Sequence, residues 1–388
     1  MKYWRGYLVA FIFAAITWAL MQYGQAFTNL VDMIYPYVIR TLQNMLAQWS
    51  GGVDFVIWQL LVMVGIAVGL ATIVLMIILK WNPIQWFGWV LAAVSLVYML
   101  NTLVFGLNWF AGPLADDIRL EMGAYNLEEL TEAAEYYRDK ANELATQVKR
   151  DAEGNVDFAD FDILADQTGD GFQALTYEHF YPIFAGSTEP VKALSWGGLL
   201  TKWGITGITV GITGEAAVNP NIPDILLPYA MSHEMAHRMC IATEEDASFA
   251  AFLAGHVNKS IEYQYSAYFM AYRYCYTALV TANNSKASAA AARVNSGVCD
   301  QLYQDMAYYN KFFSNVGSSG STAATNLTPD ENGFVSYGKV TDMLVCWHIQ
   351  QIVLPSMTEE ESPFDPYDTT QVDISGIVNA KEPVKEGE

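Results

Sequence analysis

Three long apolar segments within the first 113 residues restrict what this chain can fold into more than any other feature. They cover residues 7–21, 53–79 and 86–110, and Asp54 is the one charged residue among them. A helix of about 20 apolar residues crosses the roughly 30 Å hydrocarbon layer of a bilayer, and it satisfies its own backbone hydrogen bonds there. The sequence therefore predicts a membrane domain of three transmembrane helices over residues 1–113.

The first segment also fits a second interpretation, because a basic start before a short apolar run is typical of a secretory signal peptide. No cleavage site of the small-x-small type follows it, so we interpret it as a span that stays attached. Residues 28–50 mix polar and apolar positions at helical spacing and contain Pro36. This pattern predicts an interfacial helix that lies along the membrane surface.

The charge of the chain changes near residue 113. Residues 1–113 hold four Lys or Arg and two Asp or Glu, whereas residues 114–388 hold sixteen Lys or Arg and 39 Asp or Glu. This acidity argues against nucleic acid as a partner and favours a water-exposed domain over residues 114–354. Residues 355–388 are acidic and poor in apolar residues, so we expect a disordered tail there.

The positions of Lys and Arg predict the orientation of the spans, because these residues favour cytoplasmic loops. Lys2 and Arg5 precede the first span and Lys80 lies between the second and third. Arg40 lies on the opposite side. The majority places the N-terminus in the cytoplasm. Three crossings then make the chain a multi-pass protein of the cell membrane, with its large domain on the extracytoplasmic side.

The residues His233-Glu234-Met235-Ala236-His237 form an HExxH pattern on a predicted helix. Residues four apart lie on one helix face, so the imidazoles of His233 and His237 can bind a single ion. Glu234 lies beside the first histidine, where its carboxylate can take a proton from water. The pattern predicts a Zn²⁺ site with Glu234 as catalytic base. A helix that merely carries two histidines and a surface glutamate is the alternative.

A hydrolytic zinc site needs a third protein ligand. Glu244 is seven residues beyond His237, which is about 10 Å along a straight helix. The chain must therefore turn between Arg238 and Thr243. Thr243 and the acids after it resemble the start of a new helix, from which a carboxylate can reach back to the ion. Glu244 is the preferred metal ligand, and Asp246, which also suits a capping role, is the other candidate.

Residues 204–213 alternate glycine with β-branched residues and predict a strand. An extended substrate of a zinc peptidase commonly pairs with an edge strand beside the metal helix, although this strand could equally be internal. Asn126 and the acids after it predict a helix that ends at Lys149-Arg150. Segments rich in tyrosine predict helices over 259–281 and 300–314, with their aromatic side chains in the core.

Several stretches resemble an uncharacterised family of bacterial multi-pass membrane proteins that carry a zincin-type HExxH and are known as a domain of unknown function. They are the three apolar segments, residues 204–219, residues 233–249 and residues 335–344. The resemblance implies a zinc metallopeptidase, with the two histidines of the motif as ligands and Glu234 as base. It implies no known substrate.

The chain departs from the pattern of that family after the second histidine. The family pattern resembles H-x-x-G-I-A-x-E-x-E-A-N-F, and Glu244 keeps its first acid. Asp246 and Ser248 replace the second acid and the asparagine, and Cys240 replaces the glycine. The lost glycine matters most, because glycine would ease the turn that brings the acid to the metal.

These observations predict a mostly α chain, with three transmembrane helices followed by a helical, zincin-like α+β extracytoplasmic domain that contains a small sheet. The predicted function is a membrane-anchored zinc metallopeptidase that hydrolyses a peptide or protein substrate. The predicted metal ligands are His233, His237 and either Glu244 or Asp246. The alternative is a non-catalytic membrane scaffold or sensor with a structural or vestigial metal site.

Overall fold

Five helices carry the apolar segments at the start of the chain. The computed structural model describes residues 2–282, 284–314 and 338–356. Its first helices are α1 (Arg5–Tyr23), α2 (Thr28–Ile34), α3 (Arg40–Gly51), α4 (Ile57–Ile78) and α5 (Pro83–Val104). A 3-10 turn at Gly24–Phe27 and a π-helical turn at Tyr35–Ile39 join the first three, so the backbone is helical throughout residues 5–51.

Three helical stretches are long and apolar enough to cross a membrane, namely Arg5–Gly51, Ile57–Ile78 and Pro83–Val104. This confirms the prediction of three apolar helices near the N-terminus. The helix predicted over residues 28–50 is also present, as α2, the π-helical turn and α3. Its placement along the membrane surface stays a prediction.

α1 packs against α5 through two glycines. A Cβ atom at Gly6 would lie 2.5 Å from the backbone carbonyl carbon of Gly88, and one at Gly88 would lie 2.7 Å from the ring of Tyr7. Small residues permit such close approach of helix backbones, which is how helices associate in lipid. α4 buries only Gln59 and leaves most of its apolar side chains exposed, as suits a helix surrounded by lipid.

Ten further helices follow residue 113 in the described ranges, so the chain is mostly helical, as predicted. They are α6 (Leu114–Asp117), α7 (Leu127–Ala145), α8 (Phe161–Tyr177), α9 (Gly197–Lys202), α10 (Leu227–Arg238), α11 (Glu244–His256), α12 (Ile261–Thr281), α13 (Ser285–Ser296), α14 (Asp300–Ser314) and α15 (Lys339–His348).

The chain as far as Cys346 forms one unit, in which the apolar helices and the large domain pack together. The boundary predicted near residue 113 is therefore a change of composition inside that unit. A second unit begins at Trp347, and its described part, residues 347–356, is helical. The tail predicted over residues 355–388 lies outside the described residues from 357 onward.

One small sheet accompanies these helices and confirms the predicted α+β content. Its strands are β1 (Lys192–Ala193), β2 (Gly207–Val210) and β3 (Glu215–Val218), in the order β1-β3-β2. β2 and β3 are antiparallel, with Ile208 opposite Ala217, whereas β1 runs parallel to β3. β2 is therefore an edge strand. The alternation of glycine and β-branched residues predicts β2 but does not reveal β3.

The helix predicted after Asn126 begins with a capping box. The Asn126 side chain accepts a hydrogen bond from the Glu129 amide at 3.1 Å, and the Glu129 carboxylate accepts one from the Asn126 amide at 2.6 Å. This helix, α7, ends at Ala145 and not at the predicted basic pair. Arg150 instead forms an ion pair with Asp305 of α14 at 2.8 Å, which requires the chain to leave the helix before it.

The predicted aromatic core is present in α12, whose Tyr263, Tyr265, Phe269 and Tyr272 are almost completely buried. The phenol of Tyr265 donates a hydrogen bond to the buried carboxylate of Asp305 at 2.5 Å, so its polar end is satisfied. None of the four cysteines (Cys240, Cys275, Cys299 and Cys346) forms a disulfide.

Candidate metal centre

The two histidines of the HExxH pattern lie one turn apart on α10 and point to the same place. Their Nε2 atoms are 3.1 Å apart, and the ring centroids are 4.6 Å apart with the rings almost perpendicular. His237 is buried, and the side chain of His233 is 14% exposed. The spacing of four residues therefore places both nitrogens where one ion can contact them, as the sequence predicts.

The chain turns sharply after α10. Arg238 is the last residue of α10, and Cys240, two residues later, has a φ of +72°. This is the left-handed region that glycine adopts without strain. Thr243 then caps α11, because its hydroxyl accepts a hydrogen bond from the Asp246 amide at 3.2 Å. The turn lies between Arg238 and Thr243, where the sequence predicts it.

This turn brings Glu244, the first residue of α11, back to the histidines. Its Oε2 lies 3.2 Å from Nε2 of His233, and its Oε1 lies 3.6 Å from Nε2 of His237. The three side chains offer ligand atoms within 4.8 Å of one another. Two imidazole nitrogens and one carboxylate oxygen are a donor set that zinc accepts in catalytic sites. No other such group of His, Cys, Asp or Glu occurs among residues 2–282, 284–314 and 338–356.

Asp246, the other candidate for the third ligand, lies outside this group. Its carboxylate accepts a hydrogen bond from the Thr243 hydroxyl at 2.7 Å and pairs with Lys339 of α15 at 3.0 Å. The side chain is buried, and its carboxylate holds the capping residue Thr243 and forms the ion pair with Lys339. Of the four candidate ligands, the structure thus brings together His233, His237 and Glu244.

The second ring nitrogen of each histidine also has a partner. Nδ1 of His237 lies 2.8 Å from the carbonyl oxygen of Ile241, to which it donates its proton. In the neutral imidazole, Nε2 of His237 is then the nitrogen with a lone pair, as a metal ligand requires. Nδ1 of His233 lies 3.3 Å from the hydroxyl of Ser248 on α11.

Hydrogen bonds within the cluster favour an ionised carboxylate. Hydrogen bonds with His233 and His237 outweigh burial and hold the pKa of Glu244 well below its usual range. Burial lowers the pKa of His237, but its hydrogen bond with Glu244 and the charges of Glu234 and Glu244 raise that pKa more. Glu244 is therefore anionic at neutral pH, which is the form that binds a cation.

Glu234 points from α10 towards strand β2. Its side chain is buried, and Oε2 lies 2.7 Å from the hydroxyl oxygen of Thr209. A Cβ atom at Gly207 would lie only 2.4 Å from Oε1 of Glu234, so the carboxylate occupies space that any other residue at position 207 would fill. The sequence predicts Glu234 as the base but does not reveal these two partners. Both partners, Gly207 and Thr209, lie within residues 204–213, the glycine-rich stretch that predicts a strand.

The site lies directly against the membrane helices. The ring of Phe105, which follows the last residue of α5, packs edge-on against the His237 ring with centroids 6.2 Å apart. Gln43 of α3 donates to the carbonyl oxygen of Gly211, which follows β2, at 2.8 Å. Both walls of the site, α10 and the β2 turn, therefore contact the membrane part of the chain.

The chain matches a family model over most of its length. A family model described as "Protein of unknown function (DUF3810)" matches residues 31–345, which include α10, the sheet and Glu244. No curated protein and no solved structure matches the chain.

Proposed function

This chain belongs to the DUF3810 family of unknown function, and we propose that it is a membrane-anchored zinc metallopeptidase with a zincin-like large domain. The observation that carries the proposal is the convergence of His233, His237 and Glu244, with the buried carboxylate of Glu234 on the same helix as the two histidines. In this proposal the large domain is extracytoplasmic.

The residues present fit a zinc ion by the chemistry of their donor atoms. Glu244 is ionised, neutral His237 has the lone pair of Nε2 available, and the three side chains are close enough for one ion to contact all of them. Three protein ligands leave a further coordination position open, which is typical of catalytic zinc. Zinc bound by these side chains acts as a Lewis acid that acidifies water and polarises a peptide carbonyl.

The role of Glu234 is to move one proton. Its carboxylate takes a proton from the water that attacks the peptide carbonyl, and it then gives that proton to the nitrogen of the leaving amine. The hydroxyl of Thr209 lies within hydrogen-bond distance of Oε2, so Oε1 is left as the oxygen that carries the proton. Burial of this side chain between α10 and β2 also limits competition from bulk water.

The edge of β2 offers a place for the substrate backbone. β2 is paired with β3 on one side, and among the described residues no strand pairs with its other side. An extended peptide can pair with such an edge through main-chain hydrogen bonds, whatever its side chains are. Because Thr209 and Gly207 belong to β2 and contact Glu234, a peptide on this edge lies close to the base.

A scaffold or sensor with a structural metal site is the competing function. A structural metal site needs the three ligands, but it does not need a glutamate held at a fixed position beside them. The contacts of Glu234 with Thr209 and Gly207 therefore favour the peptidase.

The test compares Glu234→Gln with Glu245→Gln, a neighbouring exposed acid on α11 outside the ligand group. The full chain is purified, loaded with zinc and reconstituted in liposomes. It is then incubated with a peptide library and with a reconstituted membrane-protein fraction. We expect about one zinc per chain in all three proteins, and new N-termini, identified by mass spectrometry, with wild type and Glu245→Gln only. Equal cleavage by Glu234→Gln, or zinc binding that survives His237→Ala, would contradict the proposal.

A further inference from the structure

The length of α4 matches the thickness of the hydrocarbon layer of a bilayer. This helix has 22 residues, which extend about 33 Å at 1.5 Å per residue, close to the roughly 30 Å of the hydrocarbon layer. A span of this length places its first residue, Ile57, at one surface of the bilayer. α5 returns from the turn at residues 79–82, so its last residue, Val104, lies at the same surface.

The first turn of α4 is held by the sheet that flanks the candidate metal centre. The carboxylate of Glu215, on β3, accepts hydrogen bonds from the amides of Ile57 at 2.8 Å and Trp58 at 2.9 Å. Lys192 of β1 pairs with the same carboxylate at 2.8 Å and donates to the carbonyl oxygen of Phe55 at 3.0 Å. The side chain of Glu215 is completely buried. The sheet therefore lies at the level of the helix end and not on a stalk above it.

The last turn of α5 is held in the same way by the metal helix and the β2 turn. Phe105 packs against His237, and Gln43 joins the carbonyl oxygen of Val104, at 3.2 Å, to that of Gly211, at 2.8 Å. Two independent attachments thus place α10 and β2 at the membrane surface.

α9 lies beside the first turn of α4 and exposes apolar side chains. The ring of Trp196, just before α9, packs edge-on against the ring of Trp58 with centroids 6.3 Å apart. The next residues present Leu199 and Trp203, which are 48% and 56% exposed. Lys202, between them, is also exposed, and its stem can lie on an apolar surface while the ammonium group stays in water. Tryptophan and leucine with a nearby lysine suit the interface of a bilayer.

We propose that this metal centre works at the bilayer surface, with Leu199 and Trp203 in the interfacial layer, and that its substrates are the membrane-proximal segments of anchored polypeptides. The proposal rests on the peptidase function proposed above. The occupant of the exposed α9 face is the bilayer, because that face continues directly from the first turn of α4. A segment that leaves the membrane next to α4 or α5 is already at the level of the β2 edge.

The first test measures the position of α9 independently of activity. A spin label is attached to Leu199→Cys in the full chain in liposomes, with Cys299 changed to Ser because the other three cysteines are buried. The matched control is Tyr303→Cys on α14, where the native residue is 65% exposed. We expect the label at 199 to collide mainly with lipid-soluble oxygen and the label at 303 mainly with a water-soluble nickel chelate. Equal access of the chelate to both labels would overturn the interfacial placement.

The second test measures where cleavage occurs. Liposomes that contain the zinc-loaded chain receive an apolar span of about 20 residues followed by a random segment, inserted in both orientations. A second sample receives the random segment without the span. We expect cleavage of the anchored form within about five residues of the span, which extend roughly 17 Å. The double substitution Leu199→Glu with Trp203→Glu should lower cleavage of the anchored form about tenfold, whereas Tyr303→Glu should not.

The outcomes separate the two proposals. Cuts spread evenly along the anchored segment, or equal rates for the free and anchored segments, would overturn the substrate class and leave the peptidase intact. Absence of cleavage in both samples, with zinc bound, would refute the peptidase function and the substrate proposal with it.

Discussion

The hydroxyl oxygen of Thr209 lies 2.7 Å from Oε2 of Glu234 and 2.9 Å from the main-chain carbonyl oxygen of the same residue. One side chain of an edge strand therefore contacts both the carboxylate and the backbone of the proposed base. The hydroxyl can donate its single proton to Oε2 of the ionised carboxylate, and it can donate to the same oxygen when Oε1 carries the proton. Thr209 can thus hold Glu234 in place in both of its protonation states.

Thr209→Val should slow hydrolysis without loss of zinc. Valine keeps the branched shape of the side chain but removes the hydroxyl, and a hydrogen bond to a charged group contributes about 1.5–3 kcal/mol. We expect kcat to fall roughly 10- to 100-fold, while Thr209→Ser stays within about threefold of wild type. The measurement is steady-state kinetics beside zinc content. Unchanged kcat in the valine variant would mean that Glu234 does not depend on this contact.

Gly207→Ala should displace the base. The new methyl group would lie 2.4 Å from Oε1 of Glu234, so the carboxylate has to move. A misplacement of about 1 Å costs roughly 100-fold in rate, and we expect a loss of that size with zinc still bound. Gly123→Ala is the control, because a Cβ there meets no atom within 4 Å. A fully active Gly207→Ala variant would show that Glu234 does not need its observed position.

Glu244 and Asp246, the two candidate ligands on α11, should respond differently to loss of charge. Glu244→Gln removes the ionised oxygen that lies 3.2 Å from His233 Nε2, so zinc affinity should fall about 100-fold or more. Asp246→Asn weakens the contacts with Thr243 and Lys339, and we expect a loss of about 1 kcal/mol in stability with zinc retained. Titration against a zinc chelator and thermal unfolding provide the two measurements. Loss of zinc affinity in Asp246→Asn, with zinc affinity retained in Glu244→Gln, would make Asp246 the ligand.

Local sequence patterns predicted the parts of the site that lie on one helix or at its ends. The four-residue spacing of His233 and His237 and the helix start at Thr243 depend only on neighbours along the chain. Thr209 and Glu234, in contrast, are 25 residues apart. Their contact depends on how the β2–β3 hairpin packs on α10, which no local periodicity records. For the same reason, local patterns do not reveal that Glu215 caps α4, because Glu215 and Ile57 are 158 positions apart.

The backbone conformation at Cys240 was also beyond prediction, although the sequence pointed to the position. The structure gives Cys240 a φ of +72°, so the turn adopts the left-handed conformation without glycine, the residue that adopts it freely. The side chain packs in a small cluster with Val31 and Tyr35 of the membrane part. The cysteine therefore contributes apolar contacts to a turn that it also strains.

This conflict predicts an unusual order of stability for two substitutions. Cys240→Ala and Cys240→Gly both remove the sulfur and its contacts with Val31 and Tyr35, but only glycine relieves the strain of the left-handed backbone. Alanine at positive φ costs more than the unfolded-state entropy that it saves, so we expect the glycine variant to be about 1 kcal/mol more stable. At Glu132, an exposed position inside α7, the same pair should show the opposite order, because alanine is the better helix former. Thermal unfolding of the four zinc-loaded variants measures the difference in stability between alanine and glycine at each position. If alanine is the more stable at both positions, the turn that carries Glu244 back to the histidines is not strained at Cys240.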